Sequence, residues 1–215
     1  MKAAVTVADR NGVESLTMRR LAEELGAEAM SLYYHVANKG EVLDGLVEAV
    51  MAEVNEVVDA IDPPTAGAEW RAAARRRILA ARGVFLRHPW APRVFEGRTD
   101  SSQAVLHYHD RLIGIMRDGG FSYDLIHHSL HALGSRALGF SQELFDPAAD
   151  EGAPVSPAEL EAMSERFPHL VGMMAEVAHD DPASTLGWCD DQTEFEFGLD
   201  LILDGLERMR AAAGR

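Results

Sequence analysis

Within one short span the chain sets out Arg19, Ala29, Met30, Ser31, Tyr33, Tyr34, His35 and Lys39. These side chains suit the surface of a nucleic-acid duplex. Arg19 offers a guanidinium fork for a guanine edge or a phosphate pair, and Lys39, at the start of a helix, offers a point charge for phosphate. Ser31 can donate to base or backbone, Ala29 or Met30 can touch a thymine methyl, and the tyrosines bring hydroxyls on flat apolar rings. The plainer reading is that Tyr33 and Tyr34 pack a small helical unit and His35 is an ordinary core or surface imidazole. On residue type alone the two readings stand level.

The elements that would position these residues are legible in the spacing. Thr17 is an N-cap candidate, Leu21, Ala22 and Leu25 form an apolar face, and Gly26 is a C-cap candidate. Leu32 and Val36 lie four apart on a second short helix, which completes a helix-turn-helix. Before it, residues 2–11 read as a helix with Val5 and Ala8 inward, stopped by Asn11-Gly12. After it, Asn38 with Glu41 makes a capping box that opens a long helix with the stripe Val42, Leu43, Leu46, Val47, Val50, Val54, Val57 and Ile61.

Asp62-Pro63-Pro64 interrupts the pattern. A helix is predicted from about 66 to 87, ended by His88-Pro89 and carrying Arg71, Arg75, Arg76, Arg77 and Arg82 as a solvated basic face. Residues 90–97 read as an apolar connector. Further helices are predicted at 101–118, at 123–143 behind the cap Ser122, from Pro157 to the break at Pro168, onward to about 179, and at 190–213 with the stripe Phe195, Leu199, Ile202 and Leu206. Residues 146–154 read as a loop. No alternating strand pattern or repeat is present, so the fold is expected to be all-α: a three-helix DNA-binding head at 1–45 and a larger helical domain at 46–215.

Composition constrains function. With 215 residues and 47% hydrophobic content the chain can bury a substantial core. One cysteine, Cys189, excludes an internal disulfide framework and a multi-thiolate zinc site. No apolar run approaches a membrane span or a signal-peptide core, so a cytoplasmic protein without membrane partners is expected. The net charge of −15 opposes general attraction to polyanions. Residues 1–45 hold five bases (Lys2, Arg10, Arg19, Arg20, Lys39) against seven acids (Asp9, Glu14, Glu23, Glu24, Glu28, Glu41, Asp44), so the head itself is −2.

From Gly12 to Leu46 the chain resembles the DNA-binding head of TetR-family transcriptional regulators. The likeness rests on Gly12-Val-Glu-Ser-Leu-Thr-Met-Arg-Arg-Leu-Ala-Glu-Glu-Leu-Gly26, then Ser31-Leu-Tyr-Tyr-His-Val36, Asn38-Lys39 and Leu43. The remainder resembles the carboxy-terminal domain of the branch that includes the tetracycline repressor, through Arg87-His-Pro-Trp90, Gly119-Gly-Phe-Ser122, Leu138-Gly-Phe140 and 195–206. The resemblance implies that the eight residues named at the outset face a double-stranded DNA operator. It also implies a homodimer through helices near 123–143 and 190–213, and a small-molecule effector that releases DNA, which makes the protein a repressor with no cofactor and no catalytic role. Partly by position, and partly because polar or aromatic groups fall on apolar helices, the effector residues are taken as Arg77, Phe95, Tyr108, Leu112, His127, His131 and Glu143.

Three departures matter. Ala29 stands where the tetracycline repressor has a base-reading glutamine, so its operator sequence cannot be borrowed. Phe95 stands where that repressor has a metal-binding histidine, so magnesium-tetracycline is not expected to bind. The first helix begins late relative to many relatives, losing residues that often touch phosphate; a misplaced start codon would account for it. Two other classes compete. An all-α metal enzyme would use the cluster His107, His109, His127 and His131, although Glu176-x-x-His179 supplies one of the two Glu-x-x-His motifs that a di-iron bundle requires. A helix-turn-helix kept only for protein contacts would suit the head's negative balance.

Overall fold

A computed structural model describes residues 1–61, 69–96, 102–138, 157–177 and 191–213. The described residues form helices throughout: α1 (Lys2–Asn11), a 3-10 turn (Val13–Ser15), α2 (Met18–Leu25), α3 (Ala29–Leu32), α4 (Lys39–Asp59) and α5 (Trp70–Arg87). Then follow α6 (Ala91–Glu96), α7 (Gln103–Asp118), α8 (Tyr123–Leu138), α9 (Pro157–Arg166), α10 (Pro168–Val177) and α11 (Asp191–Ala213). One compact unit comprises residues 1–139 and 202–215; a second comprises 140–201.

Local chemistry sets most of the boundaries. Thr17 accepts from the Arg20 amide at 3.1 Å to start α2, and Gly26 ends it with φ +63°, a left-handed conformation that costs a residue with a Cβ. Asn38 accepts from the Glu41 amide at 3.1 Å, and the Glu41 carboxylate accepts from Ala37 N–H at 2.6 Å. Two amide donors at the α4 N-terminus are satisfied in this way. Ser102 and Ser122 cap α7 and α8 through the amides of Val105 (3.3 Å) and Leu125 (3.2 Å).

The core of the first unit runs without interruption from α1 through α4 into α5 and α6. Ala4, Val7, Ala8, Leu16, Leu21, Ala22 and Leu32 join Leu46, Val50, Val54 and Val58 of α4, and these join Val84, Trp90, Ala91 and Val94. Burying a large aliphatic side chain contributes roughly 1.5–3 kcal/mol. The α4 stripe is therefore the girder on which both ends of the unit are hung.

Several expected positions shift. Leu25 is exposed, since it ends α2 beyond the turn that carries Leu21 and Ala22. In α1 it is Ala4, Val7 and Ala8 that are buried, with Val5 at the rim. In α4, Val58 and Met51 are buried while Val57 faces solvent, because a stripe at 3.6 residues per turn drifts off a strict heptad. The same drift buries Leu203 beside Phe195, Leu199 and Leu206, leaving Ile202 partly exposed. The connector 90–97 contains a helix, α6, whose first amide reaches His88 O at 2.8 Å. Pro92 sits in its first turn, where the missing N–H has no intrahelical partner in any case. The Asp62-Pro-Pro break, the start of the helix predicted from 66, and residues 139–143 and 146–154 lie outside the described residues.

The far end of this unit is closed by α5, α7, α8 and the end of α11. The Trp70 ring meets Phe121 edge-on at 4.5 Å, and its Nε1–H donates to Glu207 at 2.8 Å. Arg71 pairs with Asp204 at 2.7 Å, and Arg210 donates to Gly119 O at 2.8 Å. A Cβ built on Gly119 would lie 2.7 Å from the Trp70 Cβ, so this glycine is there for close approach.

Candidate nucleic-acid interface and effector site

The α2–α3 surface is built to be bare. α3 is a single helical turn that buries Leu32 alone, and it passes at Tyr33, still in the right-handed helical region, into a hydrogen-bonded turn. Tyr33, Tyr34 and His35 therefore lie on the turn that follows α3. Met30 is 73% exposed and Tyr34 89%, with Tyr33, His35 and Lys39 also exposed. Large apolar side chains left in water at this density mark a contact surface. Ala29 is different: it is half-buried and packs against the core, so its methyl is only partly offered to a ligand. Ser31 turns its hydroxyl back to Glu28 O at 2.6 Å, and Arg19 pairs with Glu23 on its own helix at 3.0 Å.

These pairings temper the acidic balance of the head. Arg10 holds Glu24 at 3.4 Å, Arg93 holds Glu14 at 2.6 Å, Glu41 caps α4, and Asp9 is drawn inward to His88 and Trp90, each at 2.7 Å. Most of the carboxylates that would repel phosphate are thus occupied, while Lys39 sits at the positive end of the α4 dipole.

The second site lies where α4, α5 and α7 meet. Arg77 is 8% exposed, so it does not belong to a solvated basic face. It donates to Val58 O at 2.9 Å and to Asp59 at 3.2 Å. His107 closes on the other Asp59 oxygen at 2.7 Å. Burial alone would raise the Asp59 pKa, but the hydrogen bonds from His107 and Arg77 outweigh it and hold the carboxyl below its usual range. Burial pushes the Tyr108 phenol up to about 12, against the opposing charge of Arg77, so it stays protonated and able to donate. Leu112 is buried, and Phe95 meets Phe85 edge-on at 5.7 Å.

Two buried polar atoms here have no hydrogen-bond partner among the described residues: Arg77 Nε and Asn55 Oδ1. The Asn55 amide is spent on Ala104 O at 2.8 Å. Orphaned polar atoms in an interior are costly and point to an absent partner. Asn55 and Asp59 were missed from sequence; the available signal was a polar pair, four apart, along the edge of an apolar stripe.

The remaining effector candidates do not join this cluster. His127 and His131 stand on an exposed face of α8 with their rings 4.7 Å apart, because Ile126, Ser129 and Leu133 take the inward positions. Glu143 lies outside the described residues. The histidine cluster of the enzyme alternative is also dispersed. His107 is committed to Asp59, His109 donates to Val105 O at 2.9 Å, and among the described residues no group of three or more potential ligands is placed to hold a metal. Glu176-x-x-His179 runs out of the described residues at its histidine.

Comparison with known proteins accords with this geometry. Residues 1–46 match the model described as bacterial regulatory proteins, tetR family, and residues 63–210 match that of the tetracyclin repressor-like C-terminal domain. The HTH-type transcriptional repressor DrrR1 of Streptomyces coeruleorubidus is 30% identical over 96% of this chain and 75% of its own length. The crystal structure of a possible TetR family transcriptional regulator from Streptomyces coelicolor A3(2) superposes with TM-score 0.74 at 27% identity, covering 97% of each chain. ActR from Streptomyces coelicolor in complex with actinorhodin superposes with TM-score 0.71 at 25% identity, over 100% of this chain and 96% of that one. The chain belongs to the TetR family of transcriptional regulators, with a tetracycline-repressor-like carboxy-terminal domain.

Proposed function

We propose that this TetR-family protein is a ligand-responsive repressor whose residues 1–45 bind a palindromic operator and whose residues 46–215 bind the effector and a second copy of the chain. Tyr33, Tyr34, Met30 and His35 meet the groove, Arg19 and Lys39 hold phosphate, and Ser31 and Ala29 shape the surface between them. The observation that carries this reading is the exposure of two tyrosines and a methionine on a one-turn helix and the turn after it. Selection from random-sequence DNA tests it: a palindrome whose affinity falls with salt is expected. No enrichment at low salt would overturn it and favour a head used for protein contacts.

The effector reading centres on Arg77, Asn55, Tyr108, Phe95 and Leu112. An aromatic ligand bearing an acceptor for Arg77 and a donor for Asn55 would satisfy both orphaned atoms, and the similar ActR is a protein seen with a small molecule, actinorhodin, bound. Phe95 offers no ligand atom to a metal, so titration with magnesium-tetracycline is expected to give no tight, magnesium-dependent binding. The exposed Tyr123 of α8 and Met209 of α11 support burial of those helices against a second copy. The protein acts in the cytoplasm, without a cofactor or catalysis; among the described residues no helix is long and apolar enough to cross a membrane.

A further inference from the structure

His88 closes α5 and begins the connector to α6, and it is 6% exposed. Its Nδ1 lies 2.7 Å from Asp9 Oδ1, on α1 of the head, and its Nε2 lies 3.1 Å from Glu53 Oε2, on α4. An ionised carboxylate only accepts hydrogen bonds. A neutral imidazole has one N–H, so it would turn a lone pair toward one of the two carboxylates. Only the doubly protonated ring donates to both.

We infer that His88 is a positioning residue for DNA binding: as an imidazolium it fastens α1 of the head to α4 and the α6 connector, and loss of its proton loosens that alignment and weakens operator binding. The surrounding groups agree. Asp9 Oδ1 also accepts from Trp90 Nε1–H at 2.7 Å, so one head carboxylate is gripped twice from the connector. From α5, Arg87 reaches Glu53 at 2.5 Å; this like charge opposes the cation but also keeps Glu53 ionised. From α6, Arg93 holds Glu14 of the head at 2.6 Å, a second tie across the same seam. The ring of Trp90 packs 5.8 Å from that of His88.

Burial favours the neutral ring, but the hydrogen bonds that His88 donates to Asp9 and Glu53, together with their negative charge, win, and the pKa of His88 is raised above 6.5. The sign follows from linkage. A group held above its unfolded value contributes its full stability below pH 6.5, and that contribution is lost as pH rises through the folded value.

The test compares wild type with His88→Gln and Glu53→Gln. Thermal melting from about pH 6 to about pH 9 should show wild type losing stability with rising pH relative to His88→Gln, whose curve lacks that step. In assigned histidine NMR spectra of the wild-type protein the His88 midpoint should lie above 6.5, and Glu53→Gln should lower it. Affinity for the selected palindrome should fall several-fold more in wild type than in His88→Gln over the same range; any contribution from His35 is common to both. Parallel melting curves, or a His88 midpoint at or below 6.5, would overturn the inference. If His88→Gln does not fold, the wild-type titration and Glu53→Gln decide alone. The DNA readout rests on the repressor reading, whereas melting and NMR do not. A normal pH step without DNA selection therefore condemns the repressor reading only, and a palindrome bound with identical pH profiles in both proteins condemns the role of His88 only.

Discussion

The α2–α3 surface and the α4–α5–α7 interior use opposite physics. At the first, Met30 on α3 and Tyr33 and Tyr34 on the turn after it are exposed, and Ser31 and Arg19 are paired within a few residues of themselves. At the second, Asn55, Asp59, Arg77, His107 and Tyr108 come from three helices, and each hydrogen bond spans a large gap in sequence. A surface that must meet a groove of fixed shape is best left open. A site that must recognise a small molecule has to be buried and to keep polar atoms in reserve. Substitutions should therefore separate the two regions: stability falls in the interior, binding falls at the surface.

The largest effect is expected at Arg77. Arg77→Ala removes the buried partner of a half-buried carboxylate, leaving Val58 O without its side-chain donor and Asp59 held by His107, a loss of about 3 kcal/mol, read as a lowered urea midpoint. Melting within a degree of wild type would mean that the interior cluster is not structural. Gly119→Ala comes next. The new methyl meets the Trp70 Cβ and Cγ, which are backed by Phe121, and a cost of roughly 1–3 kcal/mol is expected in the same assay. Asn38→Ala should cost about 1 kcal/mol by freeing the Glu41 amide. Because that cap sets the position of Lys39, it should also weaken DNA binding, so it tests whether the two regions meet at the α4 N-terminus. Tyr34→Ala should change stability by no more than about 0.5 kcal/mol while lowering operator affinity. A marked loss of stability there would make Tyr34 a packing residue and erase the contrast.

This contrast also explains what could be read from sequence. The caps at Thr17, Asn38 and Ser122 and the stop at Gly26 are local devices, visible as residue types at fixed offsets. Residue type leaves open whether Tyr33 and Tyr34 pack the head, and their exposure emerges only from the fold. Asn55 and Asp59 were not visible, because their role depends on Ala104, Arg77 and His107 arriving from other helices. The i, i+4 pair His127 and His131 does not itself reveal which face of α8 turns inward, and Ile126, Ser129 and Leu133 take that face. The connector was taken for an apolar link, although α6 is a helix tied to the head by Trp90 and Arg93, contacts some eighty residues apart in sequence.

The most direct measurement is a footprint of the protein on its selected DNA, with the stoichiometry of the complex determined alongside. The account predicts two chains per site and two symmetric half-sites with centres about 34–36 Å apart, one for each exposed α3 turn. Protection of a single asymmetric segment by one chain, or protection unchanged by Tyr34→Ala, would contradict it.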